Sequence, residues 1–148
     1  MVDTSIIGME MGGSAMEVER GKIMEFAKAI LDENPAYGQP DPPLPPTYTM
    51  AIAHWPPPSG GGQGAQLSKL GLDLLRVLHA GQEFEYLAPV HAGDTLTTKS
   101  KIVDMYEKEG KRGGTMLFIK SETTFTNQRG EDVLKSTSTL VQTAKAAS

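Results

Sequence analysis

The chain has 148 residues, of which 39% are hydrophobic and 22% charged. This is the balance of one soluble domain with a real core, and a net charge of −4 lacks the basic surplus of a nucleic-acid binder. The absence of cysteine excludes disulfides and thiolate metal sites and fits a reducing compartment.

The opening stretch MVDTSIIGMEMGG has neither a basic start nor a long apolar run, so it does not read as a secretory signal. No window approaches the ~20 apolar residues of a membrane span, and a cytoplasmic location without membrane contact is expected. SAMEVE reads as a short strand. Between Glu19 and Asp32 the apolar residues Ile23, Phe26, Ala27, Ile30 and Leu31 recur at i, i+3, i+4, i+7 and i+8, one face of a helix. Pro35 is the expected terminator, because the residue before a proline avoids helical geometry.

GQPDPPLPP, residues 38–46, is a proline-rich loop. PTYTMAIAHW then predicts a second helix, with Pro46 in its first turn and Thr47 near the free amides. PPPSGGGQG, residues 56–64, breaks it and reads as a flexible loop. Leu67, Leu70, Leu74, Leu75 and Leu78 have helical spacing, whereas RVLHAGQEFEYL reads as strand, and periodicity leaves the boundary open.

The second half is a series of strands. QEFEYLAPV leads into the turn HAGD, TLTTKSKIVDMYE into KEGKRGG, TMLFIKSETTFTN into QRGE, and DVLKSTSTLVQT follows. Runs rich in Thr, Val, Ile and Phe joined by glycine-containing turns predict antiparallel pairing. Within residues 115–127, Leu117, Ile119, Ser121, Thr123 and Phe125 fall on one face. Helices followed by a long meander give an α+β class, a single domain over 1–148, with 142–148 as a frayed tail.

The chemically interesting segment is LDENPAYG. Asp32 precedes an Asn34-Pro35 break, and Tyr37 follows. Two readings stand side by side: an acid/base pair, or a local turn in which Asp32 and Asn34 bond to the backbone and Tyr37 lines a wall. Three histidines remain. His54 is a conceivable substitute base, His79 precedes a strand, and His91 sits in the VHAGD turn. None has a metal-ligand partner at suitable spacing, so no metal is expected. Gly93-Asp94 suits a turn. Lys108, Lys111 and Arg112 form either a solvated hairpin tip or a phosphate contact. Gly60–Gly62 lacks the Gly-Lys-Ser/Thr of a phosphate loop.

EFEYLAPVHAGDTLT followed by KIVDMYEKEGKRGGTMLFIKSETTFTNQRGEDV resembles the MaoC-like dehydratases, in particular the usually non-catalytic first half of their two-domain forms. The resemblance runs from about Gly8 to Val141. It implies a hot-dog fold, an antiparallel sheet wrapped around a central helix, with two units joined edge to edge. It also implies reversible hydration of a 2-enoyl thioester carried on coenzyme A or an acyl carrier protein, with no further cofactor. Active members carry Asp-x-Asn-Pro-x-His, and a backbone amide at the start of the central helix polarises the thioester carbonyl. Here Asp32, Asn34 and Pro35 match, and Tyr37 stands in the histidine position. A phenol with a reference pKa of ~10 is a poor base at neutral pH.

The resemblance therefore implies a subunit of an (R)-specific hydratase or dehydratase whose acid/base pair comes from a second hot-dog chain bearing the intact motif. The expected substrate contacts are Tyr37, Thr47, Tyr48, Trp55, Lys111 and Arg112. Since the chain holds one hot-dog unit, the partner is expected in trans. A homodimer using Asp32 with Tyr37 or His54, and a non-catalytic acyl-thioester binder, remain as alternatives. A thioesterase would need a carboxylate on PTYTMAIAHW, which offers none.

Overall fold

The structure is a computed structural model and describes residues 4–54, 69–111 and 114–144. Trp55, Arg112, the predicted loop over 56–64, Leu67 and residues 145–148 lie outside the described residues.

Six strands form one antiparallel sheet: β1 (Glu10–Met11), β2 (Ala15–Glu17), β3 (Val77–Tyr86), β4 (Thr95–Glu109), β5 (Thr115–Thr126) and β6 (Asp132–Gln142). The spatial order is β1-β4-β5-β6-β3, and β2 also pairs with β4. The four long strands match the four predicted runs, although β3 begins upstream of QEFEYL. β6 runs through Gln142, and the Thr143 amide still donates to the Arg76 carbonyl.

Register explains which residues face the core. Thr98, Phe125, Leu134 and Tyr86 lie in one cross-strand row, followed by Ser100, Thr123, Ser136 and Phe84. Next come Ile102, Ser121, Ser138 and Gln82, then Met105, Ile119, Leu140 and His79. The predicted alternation in β5 holds, since Ile119 and Phe125 are both buried. The apolar rows feed two separate clusters. One joins Phe125 and Leu134 to Val18, Ile23, Ala27 and Tyr48, and the other joins Ile102 and Ile119 to Leu72. Between them runs a band of hydroxyls, in which Ser100 and Thr123 bond at 2.7 Å and Gln82 bonds to Ser136.

The α-helix α1 spans Arg20–Ala29 and buries Ile23 and Ala27. It ends before Ile30 and Leu31, and these two members of the predicted apolar face stand exposed. Pro35 is not the terminator. The Leu31 amide donates to the Lys28 carbonyl at 3.1 Å and the Asp32 amide to the Ala27 carbonyl at 2.9 Å. Together they close a Schellman motif with Leu31 in the left-handed position, at φ 60°.

The predicted second helix is a 3₁₀ segment, Tyr48–His54. From Leu70 onward the leucine spacing does not continue as a helix. Gly71 takes φ 68°, Asp73 caps a 3₁₀ turn at Leu74–Arg76, and β3 begins at once. Spacing alone misleads here because Leu74, Leu75 and Leu78 are all exposed.

β2 is held on β4 by close backbone approach. The Thr98 amide donates to the Ser14 carbonyl at 2.9 Å, and the Ser14 amide donates to Thr98 Oγ1 at 2.8 Å. A Cβ at Gly13 would lie 2.0 Å from the Thr98 carbonyl oxygen. Gly13→Ala is therefore expected to lower stability by about 1–3 kcal/mol or more, read by denaturant unfolding. An unchanged midpoint would show that this edge yields freely.

Candidate functional site

The turn after α1 is built from its own polar residues. The Schellman bond fixes the Asp32 backbone, and both carboxylate oxygens are then engaged. Oδ1 accepts the Asn34 amide at 3.1 Å and Oδ2 accepts the Tyr37 hydroxyl at 3.0 Å. Asn34 caps the 3₁₀ turn Pro35–Gly38, its Oδ1 accepting the Ala36 amide at 3.0 Å, with Pro35 in the first position where no amide is needed. Arg20 grips the far side, donating to the carbonyls of Gly38 and Gln39 at 3.0 and 3.1 Å. Asp32, Asn34 and Tyr37 thus come together beside an open cavity of about 410 Å³, whose apolar wall is Met24, Ala27 and Leu31.

The electrostatics decide what Tyr37 can do. It is buried, and burial first, then the hydrogen bond and negative charge of Asp32, push its phenol pKa above the ordinary value. At neutral pH it keeps its proton and donates to Asp32. It cannot accept a proton there, and the upward shift also makes it a poorer acid.

Thr47 is exposed and its carbonyl accepts the Met50 amide. Tyr48 is fully buried, edge-on to Phe26 with ring centroids 5.5 Å apart. Its hydroxyl and that of Thr49 are buried without a hydrogen-bond partner among the described residues. Burial first, then the charge of Glu19, raises the Tyr48 phenol, while the Glu19 backbone opposes this from outside hydrogen-bond geometry. Lys111 is exposed at the β4–β5 tip, and Lys108 lies over the stacked rings of Tyr106 and Phe118. His54 falls in the 3₁₀ segment, but its side chain lies outside the described residues. His79 sits within β3 and shares a hydrogen bond with Gln82 at 3.0 Å. No group of three or more His, Asp or Glu side chains placed to hold a metal occurs among the described residues.

Sequence reasoning missed one pairing. His91 Nδ1 lies 3.1 Å from each oxygen of Asp41, a residue 50 positions away. No local signal announces such a contact. Asp94, by contrast, behaves as its turn predicts. Gly93 takes φ 94°, and the buried Asp94 carboxylate accepts the His91 amide at 2.9 Å and Gln128 Nε2 at 2.8 Å. Burial alone would raise its pKa, but these bonds and the charge of Arg129 leave it lowered.

An antiparallel sheet curled on one helix, with an Asp-x-Asn-Pro turn at the helix end, defines an α+β hot-dog fold of the dehydratase kind. The chain belongs to the family described as FAS1-like, dehydratase domain region, which matches residues 5–136. It is 37% identical over 153 aligned positions to the UPF0336 protein SCO4636 of Streptomyces coelicolor, covering 97% of this chain and 96% of that one. Among solved structures it is similar to the C-terminally truncated HadBC (3R-hydroxyacyl-ACP dehydratase) complex of Mycobacterium tuberculosis. That match has a TM-score of 0.71 and 24% identity over 95% of this chain and 99% of that one. A MaoC-like dehydratase matches with a TM-score of 0.76 and 22% identity, over 93% of this chain and 42% of the other. No helix among the described residues is long and apolar enough to cross a membrane.

Two outcomes follow from the site. Leu31→Gly should raise stability by about 0.5–1 kcal/mol, because glycine occupies the left-handed position without the Cβ penalty. A lower midpoint in thermal unfolding would show that the exposed leucine makes a contact the fold needs. The second concerns alkali. Tyr37, Tyr48 and Tyr86 all hold their protons more tightly folded than unfolded, Tyr86 being pushed by burial to about 12. Their contribution is intact below the unfolded phenol value of ~10 and is lost as pH climbs through the folded values. Melting temperature should fall between pH 10 and 12, with ionisation followed by phenolate absorbance.

Proposed function

We propose that this chain is the non-catalytic hot-dog subunit of an (R)-specific 2-enoyl-thioester hydratase, or 3-hydroxyacyl-thioester dehydratase. The single observation that carries this reading is the Tyr37–Asp32 bond. Where active relatives need a base near neutral pKa, this chain has a protonated phenol donating to the neighbouring carboxylate. The partner is a homologous hot-dog chain bearing Asp-x-Asn-Pro-x-His, and the substrate is an acyl thioester on coenzyme A or an acyl carrier protein. Family membership supports dehydratase-type chemistry, and the Mycobacterium tuberculosis neighbour is itself a complex. The exposed edge also fits a partner. β3 pairs with β6 on one side and with no described strand on the other, and Leu78 and Leu87 stand exposed along and just beyond it.

The test is hydration of crotonyl-coenzyme A by the isolated chain and by the reconstituted pair. The isolated chain should be almost silent, and the pair should turn over at ~10 per second, a usual enzyme rate. Tyr37→Phe in the pair should leave turnover nearly unchanged. A loss of ~100-fold with assembly intact, the scale of a general acid or base, would make Tyr37 part of the chemistry and overturn the assignment. Enzyme-like turnover by the partner-free chain would overturn it too.

A further inference from the structure

The residues of PTYTMAIAHW favour an α-helix, since Met50, Ala51 and Ala53 are strong helix formers and Pro46 suits a first turn. The structure winds Tyr48–His54 as 3₁₀ instead, over seven residues. Such runs rarely exceed about four, because side chains three apart eclipse and the hydrogen bonds are poorer. The bonds at the start of the segment keep the tighter period. The Tyr48 amide donates to the Pro45 carbonyl at 2.9 Å, and the Met50 amide to the Thr47 carbonyl at 3.0 Å.

One tertiary contact competes with the α period. In an α-helix the Met50 amide would donate to the Pro46 carbonyl, four residues back. That carbonyl accepts the Tyr86 hydroxyl at 2.7 Å, from 40 positions away. The 3₁₀ winding also leaves polar groups without partners. Tyr48 Oη and Thr49 Oγ1 are buried and unbonded among the described residues. A threonine in an α-helix has the carbonyl four back within reach of its hydroxyl, here that of Pro45. Local preference and two unbonded hydroxyls therefore oppose the winding that Tyr86 favours.

The contact joins two distant parts of the fold. Tyr86 ends β3 with part of its side chain exposed, and the far side of that strand pairs with no described strand. The segment in turn packs on α1, through the edge-on contact of Tyr48 with Phe26.

We propose that Tyr86 is a latch on a segment with two windings. While its hydroxyl holds the Pro46 carbonyl, residues 48–54 wind as 3₁₀. When the bond is lost they rewind as α-helix, the Met50 amide moving from the Thr47 to the Pro46 carbonyl. Tyr86 is thus a positioning residue, joining the open sheet edge to the segment that packs on α1.

The test is nuclear magnetic resonance on the full chain and on Tyr86→Phe, which removes the hydroxyl and keeps the ring. An α-helix brings each α proton near the amide proton four residues on, whereas the tighter 3₁₀ turn brings it near the amide two residues on. Tyr86→Phe is expected to show the four-residue contacts from Pro46 to Met50 and from Thr47 to Ala51, where wild type shows the two-residue ones. A folded Tyr86→Phe that keeps the two-residue contacts would overturn the latch, and so would four-residue contacts in wild type. Thr49→Val decides the question if Tyr86→Phe does not fold. It removes an unbonded buried hydroxyl from the wild-type segment and should raise the melting temperature by about 2–4 °C. No rise, or a fall, would mean that the hydroxyl is bonded and the 3₁₀ winding unopposed, and the inference would be lost.

Discussion

Asp94 is the interaction on which the end of the sheet near the candidate site depends. Its carboxylate is buried, yet it accepts from the His91 amide and Gln128 and faces Arg129. Through these bonds it ties the β3–β4 turn to the β5–β6 turn. Gln128 also accepts the Thr95 amide, and Val18 exchanges backbone bonds with Gly93 and Asp94, which brings β2 into the same junction. A buried carboxylate is costly unless its lone pairs are occupied, and here several donors meet it. The junction thereby joins both turns to the segment that leads from β2 into α1.

The end of α1 shows a different economy. A Schellman motif normally puts glycine in the left-handed position and an apolar residue after it. This chain has Leu31 and Asp32 there. The leucine holds an unfavourable backbone and stays 86% exposed. The following carboxylate turns back into the Asn34-Pro35 turn instead of joining a hydrophobic contact. The same backbone bonds that end the helix therefore aim Asp32 at Tyr37. An aspartate with both oxygens occupied is well placed to hold a tyrosine still, and poorly placed to direct water. That is the physical content of the non-catalytic reading.

The core is split. One apolar cluster lies under α1 and the other under β4 and β5, with serine and threonine hydroxyls between them across the inner face of the sheet. Hydroxyls on facing strands satisfy one another, as Ser100 and Thr123 do, so the band carries little desolvation penalty despite its partial burial. The buried hydroxyls of Tyr48 and Thr49 are the exception, left without partners among the described residues.

Much of this was legible in the residues themselves. Period-two patterning and glycine turns determined the four long strands, because a half-buried strand leaves its alternation in the sequence whatever it pairs with. Asp32, Asn34, Pro35 and Tyr37 act within six residues, so their cluster was also readable. Other features needed the tertiary structure. Helical spacing over-extended α1 because a left-handed Leu31 has no compositional signal, and it left open the boundary that Gly71 and Asp73 set before β3. The long-range pairs Asp41–His91 and Asp94–Gln128 join residues dozens of positions apart. Their energies depend on geometry that exists only once the sheet has closed, which is why no local pattern foretold them.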